Sequence, residues 1–150
     1  MMISSNSLQG LKILFVCQGN ICRSPMAAGL ACRLFSDGVY IDSAGLNPVY
    51  AHPTPEAIQV METEAGIDIS GHYPKPVAAV NLEEFDYIIA LDAVIYAYLK
   101  RIYPQADHRL ISWNIADPYF GGIATYRKCF REIKLNLQNL RSQIAKQTRH

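Results

Sequence analysis

The sequence lacks the arrangements that hold a metal. Cys17, Cys22, Cys32 and Cys129 follow no zinc-ligand spacing, and His52, His72, His108 and His150 form neither a helical pair nor a Cys/His cluster. No metal and no cofactor is expected. Long apolar runs are missing too: the longest, 85–99, is interrupted by Asp86 and Asp92, and residues 1–10 are too polar for a secretory leader. No membrane insertion is therefore expected, and a cytoplasmic location is, which also suits free thiols. There is no internal repeat, linker or low-complexity tract. A 150-residue chain that is 50% hydrophobic is enough for one domain with a real core, read here as 11–150 after a flexible extension at 1–10. Excess charge of one sign is absent overall, at +1, and no nucleic-acid partner is expected. The charge is uneven, however: residues 124–150 hold seven Lys/Arg and one acidic residue, so a basic last helix sits on an acidic body. A solvated helix face that complements its own dipole explains it, with docking to an acidic partner or anionic surface as the alternative.

What is present is an alternation of short apolar runs and amphipathic stretches. Residues 12–16, 39–44, 87–91 and 108–111 read as strands, and 55–65 and 93–102 as helices. Ile123, Tyr126, Phe130, Ile133, Leu137, Leu140 and Ile144 recur at spacings of three and four, giving a last helix with one buried stripe. This alternation implies right-handed crossovers and a mostly parallel α/β sheet with helices on both faces. Such sheets bind ligands beyond the carboxyl ends of their strands.

At the end of the first strand stands Cys17-Gln18-Gly19-Asn20-Ile21-Cys22-Arg23-Ser24-Pro25. Ser24 is a good helix N-cap, Pro25 suits a first helical position, and the stretch from Met26 favours helix. A loop between strand end and helix start attracts an anion through backbone N–H groups and the helix dipole, and Gly19 and Asn20 can take the positive φ of an anion-cradling turn. Cys17 feels the same field, so its thiol is expected to fall from ~8.5 toward the activated range. Arg23 can offer a planar fork of donors to two phosphoryl oxygens. Nucleophile and clamp thus share one loop, as attack of a thiolate on phosphorus requires. A general acid for the leaving group is offered by Asp117, in a Pro- and Gly-rich surface loop where Tyr119 and Phe120 would line the mouth; taken alone, Asp-Pro-Tyr reads first as an ordinary turn.

Together the two segments resemble the low-molecular-weight protein tyrosine phosphatases, from Lys12 to about Leu140. Supporting stretches are Ser43-Ala44-Gly45, 53–57, Gly66-Ile67-Asp68 leading to His72, and 85–92. The resemblance implies a three-layer α/β sandwich with a four-stranded parallel sheet of flavodoxin-like topology, and phosphotyrosine-containing proteins as partners of a monomer or weak homodimer. It makes Cys17 the nucleophile, Arg23 the clamp and Asp117 the acid and base. Gln18, Gly19, Asn20, Ile21, Cys22 and Ser24 complete the phosphate loop, with Ser24 donating to the thiolate. Asn20 would hold the strained turn with Ser43 and His72. Tyr119, and Tyr50 as candidate for the other wall, would flank the substrate ring. Cys22 matches a second loop cysteine able to form a reversible disulfide with the nucleophile.

The chain departs from the family in three places: Tyr73-Pro74-Lys75 follows His72 where relatives carry Ala-Arg, the loop after Gly45 is about two residues shorter, and Ile95 stands where relatives have asparagine after Asp92. Asp92 itself reads as a helix N-cap, with a direct catalytic role as the alternative. Phe120 leaves only Tyr119 as a phosphorylatable residue in its loop. Cys32 and Cys129 read as small core residues on apolar helical faces. Two rival functions are an arsenate reductase on the same fold and a phosphate-capturing module without turnover. The first needs relay cysteines after the third strand, and none lies between Cys32 and Cys129.

Overall fold

The computed structural model describes residues 8–35 and 38–147. Lys12–Cys17 forms β1, whose Ile13, Leu14, Phe15 and Val16 are fully buried. A strand covered on both faces needs such an uninterrupted apolar run, and each of these side chains contributes about 1.5–3 kcal/mol by leaving water. Arg23–Leu34 forms α1, Tyr40–Gly45 β2, Pro55–Ala65 α2, Tyr87–Ala90 β3, Ala93–Ile102 α3, Leu110–Ser112 β4 and Ile123–Gln147 α4. The four strands form one parallel sheet in the order β2-β1-β3-β4.

That order reverses direction at β1, so the carboxyl end of β1 lies at the switch point where such sheets open a crevice. β1 to β2 and β3 to β4 run in opposite senses across the sheet, and right-handed crossovers therefore set α1 and α3 on opposite faces. α1 lies on β1 and β2 and packs against α4, which also holds α2, whereas α3 packs beside β3 and β4. The expected α4 stripe is buried from Tyr126 to Ile144, with Cys129 joining it.

α2 begins and ends at signals in the sequence: Thr54 caps it by accepting from the Ala57 N–H at 3.3 Å, Pro55 follows, and Gly66 closes it at φ 65°.

The structure corrects several readings. Ser24 is not the cap of α1; Cys22 holds that position without a side-chain cap, because the Ser24 hydroxyl is turned toward Cys17 and Asn20. Gly19 does not take positive φ, which falls on Asn20 alone of the two, at 58°. Cys32 is exposed, one residue beyond the Met26-Ala27-Leu30-Ala31 face of α1 that packs inward. β4 starts two residues later than expected because a 3-10 turn runs through Arg109. Of the N-terminal extension, residues 1–7 lie outside the described residues, whereas Leu8 is buried and the Gly10 N–H donates to the Gly38 carbonyl at 2.8 Å. Leu8 and Gly10 accordingly belong to the packed fold.

Candidate active site

Asn20 organises the loop that leaves β1. Its left-handed backbone costs energy that a short amide side chain can offset by bonding locally, and every polar group of the residue is engaged. Nδ2 donates to Ser24 Oγ at 2.7 Å and Ser43 Oγ at 3.0 Å, Oδ1 accepts from the Lys75 N–H at 3.0 Å, and the carbonyl accepts from His72 Nε2 at 3.0 Å. Its own N–H points to Cys17 Sγ at 3.2 Å. Ser24 Oγ lies 2.9 Å from the same sulphur. Gly45 shows why the strand beside the loop ends in glycine: a Cβ there would stand 3.0 Å from Asn20 N, Asn20 Cβ and Gln18 O. The Tyr73-Pro74-Lys75 departure keeps its place in this network, through the Lys75 backbone and an ion pair from its ammonium to Asp42.

Burial lowers the His72 pKa, against the hydrogen bond to Asn20 that raises it, with Lys75 lowering it further. The folded protein thus holds His72 neutral at pH values where the unfolded chain is already taking up a proton. Its contribution to stability is complete above about pH 6.5 and is lost as pH falls through the lowered folded value. We expect His72→Gln, which keeps an N–H donor without titrating, to lose less unfolding free energy between pH 7 and pH 5 than the natural protein in urea titrations. Equal losses would remove His72 as a source of that pH dependence.

Arg23, at the start of α1, is buried. Nη1 donates to Asp92 Oδ2 at 2.7 Å and to the Ile115 carbonyl at 2.8 Å, and Nη2 lies 3.8 Å from Asp117 Oδ2. Burial opposes the guanidinium charge, but the Asp92 bond, Cys17 and Asp117 outweigh it and raise the Arg23 pKa. Asp92 responds in the opposite sense: burial favours its neutral form, yet Arg23 and the N–H groups of Ile95 and Val94 lower its pKa. Asp92 does cap α3, accepting from the Ile95 N–H at 2.9 Å. With the same carboxylate it also orients Arg23, a role the sequence reading missed because the two are 69 residues apart.

A cavity of about 250 Å³ opens over the loop, lined by Cys17, Gln18, Gly19, Ile21, Cys22, Arg23, Asn47, Val49, Tyr50, Asp117 and Tyr119. Cys17 is almost buried at its floor, at 3% exposure. Asp117 is half exposed at the mouth, where its Oδ1 accepts from the Tyr119 N–H at 3.1 Å. The Tyr50 and Tyr119 rings stack at 6.4 Å, and Phe120 meets Tyr119 edge-on at 4.7 Å, itself 98% exposed. Of the expected site residues, Asn20, Ser24, Ser43 and His72 do not line the cavity; they brace the loop from behind. Asn47 and Val49 line it without having been anticipated, since the irregular segment after β2 carries no periodic signal. Among the described residues no group of three or more His, Cys, Asp or Glu is placed to hold a metal.

Comparison with known proteins finds relatives in sequence and in fold. The sequence profile described as "Low molecular weight phosphotyrosine protein phosphatase" matches residues 12–150. A glutaredoxin arsenate reductase of Synechocystis is 33% identical over 134 residues, covering 89% of this chain and 98% of its own length. The low molecular weight protein-tyrosine-phosphatase YfkJ of Bacillus subtilis is 32% identical, covering 91% and 97%. Among solved structures, a low molecular weight protein tyrosine phosphatase from T. tengcongensis superposes with a TM-score of 0.82 at 28% identity, covering 89% of this chain and 99% of its own. The YwlE arginine phosphatase of Geobacillus stearothermophilus gives 0.81 at 26%, covering 91% and 94%.

Proposed function

Because the chain belongs to the low molecular weight phosphotyrosine protein phosphatase family, we propose that it hydrolyses phosphotyrosine in proteins by way of a phosphocysteine at Cys17. The observation that carries the reading is the placement of Cys17 Sγ and the Arg23 guanidinium on one loop beneath a cavity whose mouth holds Asp117. Cys17 sulphur attacks phosphorus, an S–P bond forms and the ester P–O bond breaks. Asp117 hands its proton to the departing phenoxide, then takes one from the water that displaces sulphur and releases inorganic phosphate. Arg23 and the loop N–H groups hold the charge that builds on the three equatorial oxygens. Because Asp92 and the Ile115 carbonyl already fix Nη1, the guanidinium plane is set before substrate arrives. Ile21, Val49, Tyr50 and Tyr119 give the cavity apolar walls suited to an aromatic ring.

Two further features belong to the same proposal. Cys17 and Cys22 line one cavity on one loop, which supports a reversible disulfide that inactivates the enzyme under peroxide. Dependence on a free thiol fits a reducing, cytoplasmic setting.

The test is hydrolysis of p-nitrophenyl phosphate in EDTA and a reducing thiol, followed by phosphotyrosine, phosphoserine and phosphoarginine peptides. Metal-independent turnover with phosphotyrosine preferred is expected, and a preference for phosphoarginine would reassign the substrate. Asp117→Ala should slow the poorest leaving groups by about 10²–10⁴, with p-nitrophenyl phosphate affected less. An undiminished rate on poor leaving groups would place the acid elsewhere.

The arsenate reductase relative motivates a second reading, arsenate reduction starting from the same thiolate. Beyond the loop, the chain's thiols are the exposed Cys32 and the buried Cys129, which burial pushes up to about 12. Neither thiol lines the cavity above Cys17, so neither is placed to carry a relay onward from it. Arsenate should accordingly inhibit competitively; arsenite produced with glutathione and glutaredoxin would favour the reductase.

A further inference from the structure

We propose that Tyr126 is the positioning residue that holds Cys22 for closure of the Cys17–Cys22 disulfide, a proposal that rests on the redox reading above. Tyr126 stands near the start of α4, fully buried, with no part in lining the cavity. Its hydroxyl lies 3.3 Å from Cys22 Sγ, and Thr54 Oγ1 faces the same sulphur at 3.8 Å. A buried phenol needs a hydrogen-bond partner, and this one shares its hydroxyl between Thr54 and a thiol that the hydrolytic steps do not use. Three segments thereby converge on one sulphur: the phosphate loop, the cap of α2 and the first turn of α4.

The chemistry gives this contact a purpose. Peroxide oxidises the Cys17 thiolate by two electrons: an S–O bond forms, the O–O bond breaks, and the second oxygen leaves as water after taking a proton, leaving a sulfenic acid. Cys22 sulphur then attacks Cys17 sulphur. An S–S bond forms, the S–O bond breaks, and the hydroxyl departs as water with the proton that Cys22 gives up. Burial pushes the Cys22 thiol up to about 11, against the lowering pull of Tyr126 and Thr54, with Cys17 and Asp117 adding to the rise. Burial also raises the Tyr126 phenol well above its ordinary value, so it stays a neutral O–H donor. Cys22 is therefore protonated and inert during turnover. When its proton leaves, the phenol O–H donates to the sulphur and stabilises the charge. Without that donor the Cys17 sulfenic acid waits longer and meets more peroxide, which carries it on to the sulfinic and sulfonic acids.

The experiment compares the natural protein, Tyr126→Phe and Cys22→Ser, each treated with hydrogen peroxide. Dimedone trapping reads sulfenic acid at Cys17, peptide mapping reads the Cys17–Cys22 linkage, and p-nitrophenyl phosphate turnover after dithiothreitol reads recovery. Tyr126→Phe removes one oxygen and should match the natural protein in basal turnover and in the initial rate of sulfenic acid formation. Disulfide closure should be slower by about 3–10-fold, from loss of a charge-assisted bond tempered by the weaker dependence of thiolate reactivity on basicity. Its recovery should fall between the natural protein and Cys22→Ser. If the natural protein forms the linkage and Tyr126→Phe closes it equally fast, the positioning role is overturned and the disulfide stands. If the natural protein forms no linkage, the disulfide reading fails and this proposal with it.

Discussion

Cys17→Ser abolishes turnover of aryl phosphates, by about 10⁴–10⁶ on the scale of other nucleophile removals, and leaves phosphate binding intact. The reason lies in what the substitution does and does not alter. A serine hydroxyl is a far weaker acid than a thiol and carries no usable negative charge at neutral pH, so attack on phosphorus is lost. The groups that hold the anion are untouched: Arg23 keeps its bonds to Asp92 and the Ile115 carbonyl, and Asn20 keeps its links to Ser43, Lys75 and His72. The Asn20 N–H and Ser24 hydroxyl that faced sulphur at 3.2 and 2.9 Å can bond the new oxygen instead. Steady-state rates and calorimetric titration with inorganic phosphate separate the two effects. Measurable turnover would move the nucleophile, and lost phosphate binding would mean that the sulphur also shapes the loop.

Arg23→Lys should lower kcat by about 10³–10⁵, the range found for arginines that neutralise a transferring phosphoryl group, even though charge is conserved. The guanidinium divides its work between nitrogens, Nη1 engaged by Asp92 and Ile115 and Nη2 within 3.8 Å of Asp117. An ammonium has one nitrogen and no plane. Drawn to Asp92 it cannot also meet the phosphoryl oxygens, and drawn to phosphate it leaves a half-buried carboxylate unpaired, which is costly. Rapid-quench kinetics should show formation of phosphocysteine slowed more than its hydrolysis is, with KM for p-nitrophenyl phosphate changed less than kcat. A near-normal kcat in Arg23→Lys would mean that the backbone N–H groups alone stabilise the transition state.

Local signals carried much of this. The apolar run of β1, the helical span 55–65 of α2 and the period of α4 each depend on neighbours within a few residues, and the structure places them as read. Readings went astray where one residue type serves two purposes. Ser24 before proline has the look of a cap, yet its hydroxyl faces Cys17 and Asn20. Asp92 is a cap and also the partner that orients Arg23, and only the fold brings residues 69 positions apart together. The same holds for Cys22 and Tyr126, 104 positions apart. Gly45 carries a constraint invisible along the chain, because the backbone that excludes a Cβ belongs to the loop of another strand. The lining residues Asn47 and Val49 lie in irregular chain, where neither helical nor strand periodicity operates.

The measurement that tests the central claim most directly is acid-quench trapping of the intermediate with Asp117→Ala, whose hydrolytic step lacks its base. Mixed with excess p-nitrophenyl phosphate and quenched within milliseconds to seconds, the protein should carry phosphate on the peptide containing Cys17, in step with a burst of p-nitrophenol. Turnover with no covalent phosphate, or with phosphate on any other residue, would contradict the account.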